Sequence, residues 1–445
     1  MEKENKKIII VGAGAAGRLA ALTAKKTNPQ NEVYLFTQER DIFIRCSAPY
    51  VISGENELAK LIKPWNGLIK AGINLIKEEV KEIKPEEKII ITSENQYPYD
   101  SLILATGASP FLPNIRGVEK RNVFTLRTSS DTEKIINSLI EGVKSVVVVG
   151  GGAIGVEAAA AFAKRGLQVS IVEMFPFLLN FLDEEFSLRI KEKLAEKGIR
   201  VLLNTRVEEI LGKEKVEGVK TSNEIIESDL VLFACGVRPN IDLAKKIGLE
   251  VGKFGIKTNE YLETSMKDIY AVGDCRQDIF QITGEEISVC LAPRAVLDGK
   301  IAGQNVSGLR VKAPLSLAPF SLEVFDLQVG AVGINERKAK EKNLPICLGR
   351  AKSLTRHDSM KEAKEIEVKL IFNKENKKII GGEIIGGEDV SQRLNLLSLA
   401  IQKECLLDDL LILQYTSSPT MTPLPFAEPI VLAAESAREE TRGNQ

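Results

Sequence analysis

Two copies of Gly-x-Gly-x-x-Gly, each entered from a short apolar strand and left by an alanine-rich helix, predict an α/β fold. Gly12-x-Gly14-x-x-Gly17 follows Lys7 to Val11, and Gly150-x-Gly152-x-x-Gly155 follows Val146 to Val149. A second observation agrees: Tyr99 to Gly107 and Asp229 to Gly236 each read as a buried strand running into a glycine turn, so both units close alike. A third is the change of character in the last third of the chain, where hairpin and helix patterns replace nucleotide turns. The chain therefore reads as two Rossmann-like dinucleotide-binding domains and a C-terminal α+β domain.

Each glycine has a separate reason. The first makes the tight turn, the second lets backbone approach a pyrophosphate, and the third allows close helix-strand packing. The helix that follows offers free N–H groups and the positive end of its dipole. The first helix runs to about Lys26 and the second covers Val156 to Lys164. Between the units, Lys63-Pro64 to Gly72 reads as helix and turn, and Glu79 to Thr92 as a hairpin with the charged stretch Lys84 to Lys88 at its tip. In the last third, Pro319 to Ile334 alternates as one strand, and Glu365 to Phe372 and Lys378 to Ile385 flank a polar turn. Val390 to Lys403 carries helical periodicity through Val390, Leu394, Leu397 and Ile401.

The 445 residues suffice for about three domains of ~150 residues. Sixty Lys+Arg against 61 Asp+Glu give no overall field to gather nucleic acid or an anionic membrane. The stretch Ser145 to Ala163 is apolar enough to imitate a membrane span, but three glycines break it and Glu157 lies inside it. Six cysteines at 46, 235, 275, 290, 347 and 405 show no close pairing, which suits reduced thiols in a cytoplasmic protein. A single histidine, His357, argues against histidine metal sites and Ser-His triads.

Several residues carry chemistry. Val169 to Glu173 ends a strand in a carboxylate placed for ribose hydroxyls, and Met174-Phe175-Pro176 brings no arginine for a 2′-phosphate, so NADH is favoured while NADPH stays open. In the first unit Thr37 occupies the usual acidic position and Glu39 follows two residues late. Glu157 reads either as a partly buried helical acid or as a carboxylate beside a nicotinamide-flavin contact. Ile269 to Asp274 ends an apolar strand in Gly273-Asp274, a carboxylate and backbone N–H groups suited to a polyol-phosphate chain. Cys46, in Arg45-Cys46-Ser47-Ala48-Pro49-Tyr50, stands alone just before a predicted helix, whose N–H groups together with Arg45 favour a thiolate. The other five cysteines read as buried and inert.

Taken together, Gly12 to Gly17, Ala105-Thr106-Gly107, Gly150 to Gly155 and Gly273-Asp274 resemble the pyridine nucleotide-disulfide oxidoreductases, in matching order from residue 6 to about 435. The resemblance implies an FAD domain split in sequence (1–115 and 241–314), an inserted NAD(P)H domain (116–240) and a dimerisation domain (315–445) forming a homodimer. It implies cofactor contacts at Gly12, Gly14, Ala15, Ala16, Gly17, Glu39, Thr106, Gly107, Gly150, Gly152, Ile154, Gly155, Glu173, Gly236, Gly273, Asp274 and Ala292. In such enzymes hydride passes from NADH to FAD, and electrons then pass to a thiol.

Two-cysteine members carry Cys-x-x-x-x-Cys, whereas Val51 and Asp41 stand five residues either side of Cys46. The segment is similar to the single-cysteine branch of coenzyme A-disulfide reductases, NADH oxidases and peroxidases, and persulfide or polysulfide reductases. Oxidase and peroxidase members often carry a histidine where this chain has Ala15. Coenzyme A-disulfide reductases have small residues there and basic residues further along the helix, where Arg18, Lys25 and Lys26 stand, with Arg45 near the thiol. Ser417 and Ser418 occupy the places of a catalytic tyrosine and histidine, and neither hydroxyl suits protonation of a thiolate, which leaves Tyr415 as candidate donor. The expectation is an enzyme that reduces a small disulfide, persulfide or polysulfide at Cys46. The alternatives are an NADH oxidase that handles peroxide at Cys46 as a sulfenic acid, and an electron-transfer subunit.

Overall fold

A computed structural model describes residues 5–443. Its first sheet is five-stranded and parallel, in the order Ile269–Ala271, Ser101–Leu104, Lys7–Val11, Glu32–Phe36, Ile73–Ile76. Ile8, Ile9 and Ile10 are all fully buried. A continuous apolar run suits a parallel strand covered on both faces. The edge strand Ile269–Ala271 arrives from beyond the second unit, so the returning chain completes the first sheet.

The second sheet repeats the plan with Val123–Thr125, Leu230–Phe233, Ser145–Val149, Gln168–Val172 and Arg200–Leu202, again all parallel. Each unit also carries a three-stranded antiparallel sheet: Val80–Lys84, Ile89–Thr92 and Gln96–Pro98 in the first, Val207–Leu211, Gly218–Thr221 and Ile225–Glu227 in the second. The chain enters and leaves the second unit through one short antiparallel ladder, Ala108–Pro110 against Val237–Pro239. Phe111 N–H donates to the Gly236 carbonyl at 2.9 Å beside it.

The last third forms a five-stranded antiparallel sheet in the order Phe320–Val324, Leu327–Gly333, Ile379–Gly386, Glu365–Asn373, Ile346–Leu354. Here the expected single strand from Pro319 to Ile334 is corrected to a hairpin. Phe325 takes φ 59°, and Val324 pairs with Leu327 across a two-residue reversal. Alternation continues through such a turn, so the pattern alone did not show it. The expected hairpin around Asn373 and the helix, here Val390–Gln402, are present.

Ion pairs bind the units together. Lys369, 1% exposed, reaches from the C-terminal sheet to Asp183 (2.6 Å), Glu185 (2.8 Å) and Glu336 (2.7 Å). Asp183 and Glu185 belong to the second unit, and Asp183 also accepts the N–H groups of Glu336 and Arg337 at 3.0 Å each. The three carboxylates lie close enough to hold a metal ion, but the ammonium group already supplies their cation. Among the described residues no helix is long and apolar enough to cross a membrane.

Candidate active site

Both glycine turns have the same internal logic. Gly12 adopts φ +107°, and a Cβ there would lie 2.2 Å from the Ala105 carbonyl oxygen; at Gly17 it would lie 1.9 Å from that of Gly12. Gly150 (φ +110°) and Gly155 repeat this, with Cβ positions 2.5 Å from the Ala234 oxygen and 2.0 Å from the Gly150 oxygen. Gly14 and Gly152, the N-caps of helices Ala15–Thr27 and Ala153–Lys164, differ: a Cβ on either would meet nothing within 4 Å. The first and third glycines are closed by protein, and the middle one faces open space over a helix N-terminus. That is the cradle a pyrophosphate needs, so both units fit a dinucleotide.

Glu173 is buried at the end of strand Gln168–Val172, where it accepts N–H from Gly151 (2.5 Å) and Phe175 (2.8 Å). Its carboxylate is thus fixed at the edge of the second cradle. Glu39 stands differently, because its carboxylate is ion-paired with Arg45. The residue read as a ribose ligand and the residue read as a substrate ligand bind each other. Arg18 joins them electrostatically and donates to the Ala13 carbonyl at 3.0 Å. Lys25 and Lys26 are not in this group. They lie in the last turn of the helix, about 10 Å of helix rise beyond Arg18, where Lys25 donates to the Asn31 carbonyl at 2.7 Å and Lys26 is exposed.

Asp274 is presented by a short turn, Gly273–Cys275, held from behind by a buried charge network. Arg276 pairs with Asp298 at 2.7 Å and Arg294 with Asp278 at 2.6 Å, while Asp298 accepts the Gly273 N–H at 3.2 Å. Asp298 lies on helix Ala292–Val306, whose Gly299 would place a Cβ 2.2 Å from the Ala16 carbonyl, so that helix packs hard against the first nucleotide helix. Ala292 opens it and is exposed. Thr106 and Gly107 are tied to Asn240: Thr106 Oγ1 donates to the Asn240 carbonyl at 2.6 Å, and Asn240 N–H to the Gly107 carbonyl at 2.9 Å. Gly236 (φ +91°) closes the second unit beside Cys235, whose thiol burial pushes up to about 11.

Sequence reasoning missed Arg127. Its guanidinium pairs with Asp274 at 2.8 Å and lies against Gly107, while its Nε is buried without a hydrogen-bond partner. A cation with an unspent donor beside the Gly273-Asp274 turn is suited to a cofactor phosphate. The capping box of Thr128 and Asp131 that follows it was readable, but nothing local pointed to Asp274.

Cys46 is exposed, in the turn Arg45–Ser47 that leads into helix Ala48–Ile52. Glu157, on the second nucleotide helix, shares a small pocket with Tyr50 and with Glu323 from the C-terminal sheet. Burial raises the Glu157 carboxyl to about 7. Tyr415 lies on the C-terminal segment, with its O–H donated to the Pro425 carbonyl. Among the other cysteines, Cys275 and Cys347 are buried and Cys235 and Cys405 partly so. Cys290 corrects the expectation: it is exposed, 3.4 Å from Ser288 Oγ, because it precedes a helix that starts at the surface.

The sequence matches the family model described as pyridine nucleotide-disulphide oxidoreductase over residues 6–296, and that family's dimerisation domain over 320–425. The chain belongs to the pyridine nucleotide-disulphide oxidoreductases. It is therefore an oxidoreductase of a family that works with flavin and nicotinamide cofactors. Within the family it is similar to an NADH oxidase of Methanocaldococcus jannaschii, 39% identical and covering 96% of this chain and 98% of the relative. It is 31% identical to an NAD(P)H coenzyme A polysulfide/persulfide reductase of Pyrococcus horikoshii, covering 97% and 98%. Among solved structures, an NAD-dependent persulfide reductase from A. fulgidus superposes with TM-score 0.95 at 30% identity, over 98% of this chain and 84% of that one.

Proposed function

We propose that this oxidoreductase passes hydride from NADH to FAD and then electrons to Cys46, which reduces a small disulfide, persulfide or polysulfide. The observation that carries the reading is the exposed Cys46 thiol, in the turn Arg45–Ser47 that opens helix Ala48–Ile52, with the Arg45 side chain next to it in sequence. Bound flavin supplies the conversion of hydride into an electron pair delivered to sulfur. The chain's own groups bind and orient. Gly14 and Gly152 admit the two pyrophosphates, Glu173 accepts the adenosine ribose hydroxyls, and Arg127 with Asp274 holds the flavin's polyol-phosphate chain. The Arg18, Glu39 and Arg45 group marks the charged edge beside the thiol. Persulfide and polysulfide reductases among the relatives support sulfane sulfur as substrate.

The protein functions in this reading as a cytoplasmic homodimer. Ile412 (78% exposed), Met421 (67%) and Phe426 (78%) form apolar surface on the C-terminal domain for a second copy to cover, and the six cysteines are free, as a reducing compartment allows. Anaerobic NADH turnover with coenzyme A disulfide, coenzyme A persulfide and polysulfide, in wild type and Cys46→Ser, tests the function. The variant's flavin is bleached by NADH but sulfur reduction is lost; a variant that reduces every sulfur substrate at the wild-type rate refutes the reading.

A second reading, NADH oxidase, is favoured by the Methanocaldococcus relative's name. It requires oxygen uptake matched to NADH consumption and faster than any sulfur reduction.

A further inference from the structure

Cys46 leads into a helix too short to hold itself. Ala48–Ile52 has five residues, whereas isolated helices shorter than ~12–15 residues are marginal in water. The turn Arg45–Ser47 runs straight into it, with the Ala48 N–H on the Arg45 carbonyl, so the place of the thiol depends on what holds the helix. Phe43, Ala48, Val51, Ile52 and Leu61 are buried in one core with Val156, Ala159 and Phe162 of the second nucleotide helix and Ile135 of helix Ser129–Ile140. The core beside the first nucleotide helix takes Trp65 and Leu68 instead. The thiol segment is thus seated on the inserted unit, although it belongs in sequence to the first.

Polar contacts fasten the same seat. A helix leaves its last carbonyls without partners of its own. Here the Pro49 carbonyl accepts the Ser53 N–H (2.9 Å), that of Tyr50 the Asn56 N–H (2.9 Å) and that of Val51 the Gly54 N–H (3.1 Å). The Ile52 carbonyl goes to Arg165, whose Nε–H donates at 2.8 Å while Nη2 reaches Val51 at 3.3 Å. A cation at this end also complements the helix dipole. Gly54 lies at φ +86°, and a Cβ there would come within 3.2 Å of the guanidinium carbon, so glycine admits the arginine. Lys164, one residue earlier, pairs with Glu55 at 2.6 Å.

We infer that Arg165 is a positioning residue for Cys46, pinning the far end of the thiol's helix to the helix that opens at the second glycine cradle. The inference rests on the sulfur-reducing function proposed above. Helix Ala153–Lys164 caps at Gly152 and ends against Arg165. It is one rod of about 18 Å, with the Gly152 cradle at one end and the thiol's helix at the other. Without the guanidinium, the Ile52 carbonyl loses its partner and the short helix frays back toward Cys46. Passing electrons through sulfur needs the thiol at one fixed place, and small misplacements are costly. Hydride delivery from nucleotide to flavin draws on the cradles and does not need the thiol, so it is spared.

The test compares FAD-loaded wild type, Arg165→Met, Arg165→Lys and Lys164→Met. Three quantities are measured without oxygen: amide hydrogen exchange over residues 47–54, flavin bleaching by NADH, and reoxidation of the bleached flavin by coenzyme A disulfide, coenzyme A persulfide or polysulfide. In Arg165→Met, exchange over 47–54 speeds up ~10-fold, and reoxidation slows ~10-fold or more. Bleaching by NADH keeps its wild-type rate. Arg165→Lys, which keeps the charge but not the forked donors, falls between, and it decides by the same comparison if Arg165→Met does not fold. Lys164→Met breaks an exposed pair that contributes little and behaves as wild type. Unchanged exchange, undiminished reoxidation, equal slowing of both flavin steps, or an equal effect of Lys164→Met overturns the inference. Reoxidation by none of the sulfur compounds in wild type, or at the wild-type rate in Cys46→Ser, sinks the underlying function instead; exchange and bleaching in the Arg165 variants then still decide whether the pin holds.

Discussion

Replacing Glu173 with alanine removes a buried carboxylate whose two oxygens accept N–H groups of Gly151 at 2.5 Å and Phe175 at 2.8 Å. These bonds hold it at the edge of the Gly150 to Gly155 cradle, where adenosine ribose hydroxyls would meet it. A hydrogen bond to a charged group contributes about 1.5–3 kcal/mol. Losing ~2 kcal/mol from NADH binding, at 1.4 kcal/mol per tenfold, weakens it ~30-fold. NADPH is affected oppositely, because its 2′-phosphate faces the same carboxylate and like charges repel. The preference for NADH over NADPH therefore drops by ~30-fold or more, read from the concentration dependence of anaerobic flavin bleaching by each nucleotide. Glu173→Gln retains one neutral acceptor and falls between. A thermal melt separates loss of the two backbone contacts from loss of nucleotide recognition. If Glu173→Ala keeps the wild-type nucleotide preference, the ribose assignment is wrong.

Other consequences follow from the same contacts. Gly12→Ala, with φ +107° and a Cβ 2.2 Å from the Ala105 oxygen, lowers apoprotein stability by more than ~1 kcal/mol in denaturant titration. Gly14→Ala meets no protein atom, so it leaves apoprotein stability near wild type but weakens flavin retention, and equal destabilisation by both changes would contradict the division of labour between the glycines. Lys369→Met strands the buried Asp183 without a cation, while Glu185 keeps Arg350 and Glu336 keeps Arg350 and Lys340, and costs about 3–5 kcal/mol of stability; a variant as stable as wild type shows that Asp183 does not depend on the ammonium group. Glu157 has its carboxyl raised from 4.5 to about 7. Its contribution to stability is complete below pH 4.5 and lost as pH rises through 7. The melting temperature of wild type minus that of Glu157→Gln therefore falls over that interval and levels off above it; a constant difference would mean that Glu157 titrates normally.

What could be read from the sequence was local. A glycine turn, the strand before it and the helix after it span about twenty residues, and Gly12 to Gly17 and Gly150 to Gly155 fold as their spacing requires. Glu173 was legible because it ends a strand adjacent to its own turn. The features that escaped depend on distance along the chain. Arg127 meets Asp274 across 147 positions, and Lys369 meets Asp183 across 186. Glu39 shows that a near neighbour can also go unread: it follows the second strand as expected, but its ion pair with Arg45, only six residues on, had no sign in the sequence. Glu157 and Glu323 line one pocket with Tyr50, and nothing local in the sequence signals that Glu323 reaches it.

The paired strands Ala108–Pro110 and Val237–Pro239 bring the two ends of an inserted body of about 125 residues side by side. A two-residue β-turn could bridge that gap. Excision at this neck, joining Pro110 to Val237, would leave the five-stranded host sheet with every strand still in register, including the late-arriving Ile269–Ala271. The molecule is thus built like a graft on rootstock, in which the inserted module can be exchanged without recutting the sheet that receives it.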